Sequence, residues 1–257
     1  MPGLSKDRDV LVYECLGQGP LPAYGDVHAT LDFSNVTLAY QAEVLERVVD
    51  AAYEQGIFQS PFVDVAGFSL GGRIALAAAS LYPRLIRRLH ITGVGGARDE
   101  YAKVVISSWK DIVQANSGND EAALRAFGWS TILTTYSHDF VASMGSKRIG
   151  TWVDGIVSQN MLEGISALLQ QTHGEAESLS MAKRMNQSQE GIAEKDRIKG
   201  KLVVGGNDRM ATPKEVKRLG KELGWEVTVL SASAGHAVPM ECAREWRADL
   251  LDFLSVN

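Results

Sequence analysis

The chain has 257 residues, 45% of them hydrophobic and 22% charged, with a net charge of −5. This suits one α/β domain, or a core with a lid, and the mild acidity leaves no electrostatic footprint for nucleic acid or an anionic membrane. Two cysteines, Cys15 and Cys242, make no disulfide framework, and no Cys/His spacing marks a metal, so neither metal nor cofactor is expected.

In chain order, Met1 to Asp9 lacks a signal peptide's apolar centre. Asp9-Val10-Leu11-Val12-Tyr13-Glu14-Cys15 reads as a buried strand ending in an inert thiol, closed by the turn Gly17-Gln18-Gly19-Pro20. The spacing of Leu38, Ala42, Leu45, Val49 and Ala52 predicts a helix from about Asn35 to Gln55, with Ser34 as a cap and Gly56 at its end. Phe62 to Ala66 is a strand and Arg73 to Ala79 a helix, ending near Tyr82-Pro83. Arg84, Arg87 and Arg88 read as the solvated approach to a strand at Leu89 to Val94. From Gly95 to Ile198 amphipathic helices dominate, such as Tyr101 to Asn116 and Asn160 to Thr172. Lys201 to Val204 is a strand, Pro213 to Leu223 a helix and Glu226 to Leu230 a strand. A last helix starts near Pro239, with Ala243, Trp246, Leu250 and Phe253 facing inward. Strands alternating with helices predict a mostly parallel sheet covered on both faces, residues 1–97 and 199–257, interrupted by a helical lid over 98–198. No apolar run approaches the roughly 18 residues of a membrane span. A soluble cytoplasmic protein is therefore expected, with a small-molecule substrate as partner.

Gly67-Phe68-Ser69-Leu70-Gly71 lies between a strand and a helix, the context of a nucleophile elbow, in which a strained turn exposes the serine hydroxyl. Gly67 and Gly71 are expected to be small because the two backbones pass close. A serine needs a base, usually histidine, held in its tautomer by a carboxylate. His236 lies in the small-residue loop Ser231 to Pro239, and Asp208 follows the strand ending at Val204. Both fall at strand carboxyl ends, where open α/β sheets build their sites. Asp208 also suits an Asx turn or a cap ahead of Pro213. His28, His138, His173 and His90 read as surface or core residues, and Asp99 and Glu100 come too late after their strand to rival Asp208.

With Ser69, Asp208 and His236 in that order, the chain resembles the α/β-hydrolase family over essentially its whole length. The resemblance implies acyl transfer, with Ser69 attacking a carbonyl, His236 moving the proton and Asp208 holding the imidazole. It makes the Leu70 N–H one oxyanion donor. Cys15-Leu16-Gly17-Gln18-Gly19 resembles the family's Arg-Gly-x-Gly segment after the fourth strand, with Leu16 in place of arginine. On that alignment strands one to three and the second oxyanion donor are missing. A truncated sequence is the favoured explanation, which would also remove any N-terminal targeting segment; direct pairing of strands four and five, or a partner, are the others. Phe68, Trp109, Trp129, Trp152, Met161 and Leu162 are candidate substrate-lining residues. Ser69-Leu70-Gly71-Gly72-Arg73 also resembles the menaquinone-pathway synthase elbow. Meta-cleavage-product hydrolases and enol-lactonases share the scaffold. Ester, lactone or thioester hydrolysis, C–C cleavage or pyruvate elimination, and ligand binding with little turnover all stay open.

Overall fold

Runs of branched apolar residues supply the sheet, and alanine and leucine repeats supply the helices laid on it. A computed structural model describes residues 8–19, 32–115, 118–172 and 178–255. The elements are α1 (Leu38–Glu54), β1 (Val63–Phe68), α2 (Leu70–Leu81), β2 (Ile86–Thr92), α3 (Glu100–Ala115), α4 (Asp120–Thr135) and α5 (His138–Gln159). They continue with α6 (Leu162–Gln171), α7 (Ser178–Ser188), β3 (Lys199–Gly205), α8 (Pro213–Leu223), β4 (Glu226–Leu230), α9 (Val238–Glu241) and α10 (Ala243–Ser255). The four strands pair in chain order, all parallel. Parallel neighbours need crossovers, and here α2, the α3–α7 insertion and α8 provide them.

The first strand expected from the sequence is not one. Residues 9–15 have no ladder partner, and Val12 is 75% exposed. A cavity of about 500 Å³ is lined by Val10 to Tyr13 and by β1, so the run has no neighbour to pair with. Among the described residues the elbow strand β1 pairs only with β2, so the expected alternative of direct pairing with this run is not formed. The helix after it starts at Leu38, later than Asn35, and Thr37 rather than Ser34 caps it by accepting the Tyr40 N–H. The reason is tertiary: the Gln171 side chain takes the Val36 N–H at 2.7 Å and holds the chain extended. Gly56 ends the helix in the left-handed region at φ 71°.

The buried alanines of α2 are small enough to let α1 and α7 close on it. Helix α7 belongs to the helical block in sequence, yet Met181, Ala182 and Met185 join the core shared by α2 and α8. The arginine-rich approach to β2 is not all solvated. Arg87 pairs with Asp64 at 2.6 Å, but Arg88 is buried and donates to the Leu254 carbonyl. The last helix breaks at Cys242, which leaves Ala243 exposed while Trp246 and Leu250 stay buried. Between β2, β3 and α10, Asp249 accepts from His90 Nε2 at 2.9 Å and from Lys201 Nζ at 2.6 Å.

Candidate active site

Strand β1 ends at Phe68 and α2 begins at Leu70, so Ser69 alone makes the turn. Its backbone sits at φ 50° and ψ −113°, a strained region for a residue with a Cβ. Gly67 makes the bend possible, because a Cβ there would lie 2.6 Å from the Gly71 carbonyl and 2.7 Å from Gly72 N. The second glycine that close packing requires is Gly72, where α2 lies against β2, and not Gly71. A Cβ on Gly72 would meet Val94 at 2.8 Å, whereas one on Gly71 would meet nothing within 4 Å.

Asp208 follows β3 in a turn tied to the next loop, with Gly206 N–H donating to Ser231 O and Asn207 N–H to Ala234 O. Its buried carboxylate divides its work. Oδ1 accepts the Met210 and Ala211 N–H groups at 2.8 Å each, which is the Asx-turn role, and Oδ2 accepts from His236 Nδ1 at 2.8 Å. His236 Nε2 then lies 2.8 Å from Ser69 Oγ. A carboxylate only accepts, so Nδ1 carries the imidazole proton and Nε2 is left to accept from the serine.

The histidine loop is held from outside the sheet. The Thr135 carbonyl, at the end of α4, accepts the His236 N–H at 2.7 Å, and the Glu241 carboxylate accepts both the Gly235 and Ser137 N–H groups. Gly93, at φ 68°, clears room for the ring, since a Cβ there would lie 2.9 Å from His236 Cε1. Sequence reasoning missed Thr135, Glu241 and Gly93. Only Gly93 left a signal, as a glycine near the end of the strand expected at Leu89 to Val94. A Cβ on Gly235 would sit 2.7 Å from Ser137 N and 2.9 Å from Thr135 O. Gly235→Ala should therefore lower stability by about 1–3 kcal/mol, read from the denaturant midpoint at unchanged m.

A cavity of about 420 Å³ opens on Ser69 and His236. Phe68 lines it, its ring 5.2 Å from that of His236, as do Leu70, Trp109 and Phe127. Trp129 and Trp152 do not. They pack around Ile132, Ile149 and Val153 between α4 and α5, where their area completes the helical insertion's own core. Met161 and Leu162 likewise join other apolar clusters. His90 is buried against Asp249, and His138 is exposed; His28 and His173 lie outside the described residues. Among the described residues no helix is long and apolar enough to cross a membrane, and no group of three side chains could hold a metal.

Residues 1–250 match the alpha/beta hydrolase family. The chain belongs to that family. It is 26% identical over 262 aligned residues, all of this chain and 87% of the relative, to RutD of Pseudomonas savastanoi pv. phaseolicola, a protein assigned as a carbamate hydrolase. It is 32% identical over 125 residues to a pyrrolizixenacetamide deacetylase from Xenorhabdus hominickii, a match spanning 48% of this chain and 43% of that relative's length. The fold is shared with MGS-M2, an alpha/beta hydrolase enzyme from a Medee basin deep-sea metagenome, at a TM-score of 0.68 and 21% identity over 86% of this chain and 73% of the other. It is shared too with the enol-lactonase of Burkholderia xenovorans LB400, at 0.65 and 14% identity over 86% and 74%.

Proposed function

We propose that this alpha/beta hydrolase is a serine enzyme that transfers the acyl group of a small or medium ester, lactone or thioester to water. The observation that carries the reading is the unbroken relay of Ser69 Oγ, His236 and Asp208, two contacts of 2.8 Å between groups from three separate strand ends. Ser69 Oγ attacks the carbonyl carbon as Nε2 of His236 takes its proton. The imidazolium is stabilised by Asp208, then returns that proton to the departing group. Water repeats the cycle in reverse roles and releases the acid. The Leu70 N–H, at the positive end of α2, stabilises the oxyanion. Helices α3 to α6 act as the lid, and Phe68, Trp109 and Phe127 hold the acyl chain.

The cavity volume lies toward the small end of ligand sites, in keeping with a compact acyl group. Relatives named as a deacetylase, a carbamate hydrolase and an enol-lactonase point to the same kind of chemistry. A fluorophosphonate probe should label the wild-type protein and leave Ser69→Ala unlabelled. Equal labelling of the two removes Ser69 from the role.

A further inference from the structure

A tetrahedral oxyanion calls for more than one donor, and removing one from such a site typically slows turnover about 10²–10³-fold. Several backbone groups around Ser69 are already committed. Ser69 N–H donates to Thr92 O, Gly93 N–H to Val203 O and His236 N–H to Thr135 O. Of the side-chain N–H groups lining the cavity, Trp109 Nε1 donates to Ser130 Oγ, Arg73 Nη1 donates to the Thr172 carbonyl, and the Arg98 side chain is engaged as well. Gln18 also lines the cavity, and among the described residues its side-chain amide has no hydrogen-bond partner.

The turn that carries Gln18 is firmly held, although the residue itself is exposed. Gln18 N–H closes the turn on Cys15 O at 3.0 Å. Beneath it the fully buried Gln41 grips Leu16 from both sides, accepting its N–H at 3.2 Å and donating to its carbonyl at 2.8 Å. Gly17 is pressed onto α6 at φ 88°, where a Cβ would lie 2.8 Å from Leu168, and Gly19 N–H donates to Asn160 Oδ1. Leu16 and Leu70 pack on the same apolar cluster of Phe33, Val36 and Leu168. The turn and the first residue of α2 are thus fixed to one support.

We propose that the side-chain amide of Gln18 is the second oxyanion donor, working beside the Leu70 N–H, and that Gln41 is its positioning residue. This rests on the serine-hydrolase reading. The bond is made as the carbonyl oxygen gains charge, so it should act on kcat more than on KM.

The test is steady-state kinetics on a p-nitrophenyl ester with wild type, Gln18→Met, Gln41→Ala, their double variant, Arg73→Met and Ser69→Ala. Gln18→Met keeps length and loses the donor. It should lower kcat about 10²–10³-fold, with KM within about threefold, and weaken an alkyl boronic acid by the same factor as kcat/KM. Gln41→Ala should lower kcat less, and adding it to Gln18→Met should cost little more. The inference is overturned if Gln18→Met keeps kcat within about threefold of wild type, if its loss falls on KM alone, or if Arg73→Met takes the kcat loss instead. Those results leave Ser69-dependent turnover standing. Absence of any Ser69-dependent turnover in wild type overturns the hydrolase reading and this inference together.

Discussion

Asp208→Asn should lower kcat by about 10⁴-fold while leaving the fold intact. The carboxylate serves two masters: Oδ1 accepts two backbone N–H groups and Oδ2 accepts from His236 Nδ1. An asparagine must keep its carbonyl toward the two N–H donors, so its NH₂ faces the imidazole. Nδ1 then has to accept, the ring proton moves to Nε2, and the base can no longer take the Ser69 proton. Kinetics against an ester series should show the loss in kcat with KM little changed. Fluorophosphonate labelling should slow in parallel. If Asp208→Asn stays within about tenfold of wild type, the carboxylate is a turn residue only.

The largest expected loss of stability lies far from that relay, at Asp249. Its carboxylate accepts from buried His90 and from Lys201, whose side chain is only 11% exposed. Among the described residues His90 Nδ1 has no partner, so the ring proton sits on Nε2 and points at Asp249. Asp249→Ala leaves the lysine only the exposed Glu226 carboxylate at 3.8 Å and should cost about 3 kcal/mol, the scale of breaking a buried pair, or roughly 6–12 °C in Tm. Pairing it with Lys201→Met should recover part of the loss, because the poorly paired buried charge is gone. Burial pushes the Asp249 carboxyl up, but hydrogen bonds from His90 and Lys201, with the lysine's charge, outweigh it and leave it below the usual range. A lowered acid stabilises the fold fully above the ordinary aspartate value near 3.9. That contribution is lost as pH falls through the lowered folded value. Chemical unfolding from pH 7 to 2 should show this acid loss in wild type and not in Asp249→Asn. A parallel pH dependence in the two would refute the account.

Much of the molecule is legible in the sequence where one residue type answers one local demand. The elbow is an example: an apolar strand, glycines where backbones cross and helix formers beyond it specify β1, Ser69 and α2 without reference to the rest. Asp208 and His236 could be picked out because chemistry restricts the side chains and topology restricts the loops. What could not be read depends on partners distant in sequence. Val10 to Tyr13 are as apolar as a strand, but a strand exists only with a neighbour to pair with, and a cavity lies there instead. Trp129 and Trp152 carry no mark telling lid core from pocket wall, because a large ring suits both. The start of α1 was misplaced because Gln171, far along the chain, holds Val36. Glu241 carries no mark in the sequence, because the Gly235 and Ser137 N–H groups reach it only in the fold.

On the proposed mechanism, the suspension of His236 from Thr135 and Glu241 makes the helical insertion a condition of the chemistry. If α4 and α5 swing away from the core, the bonds at Thr135 O and Ser137 N–H break, and the base loses its support in the same movement. Opening the mouth and disarming the site are one event. A transplanted insertion would work only if it returned a carbonyl and an N–H to that corner, whatever side chains it carried.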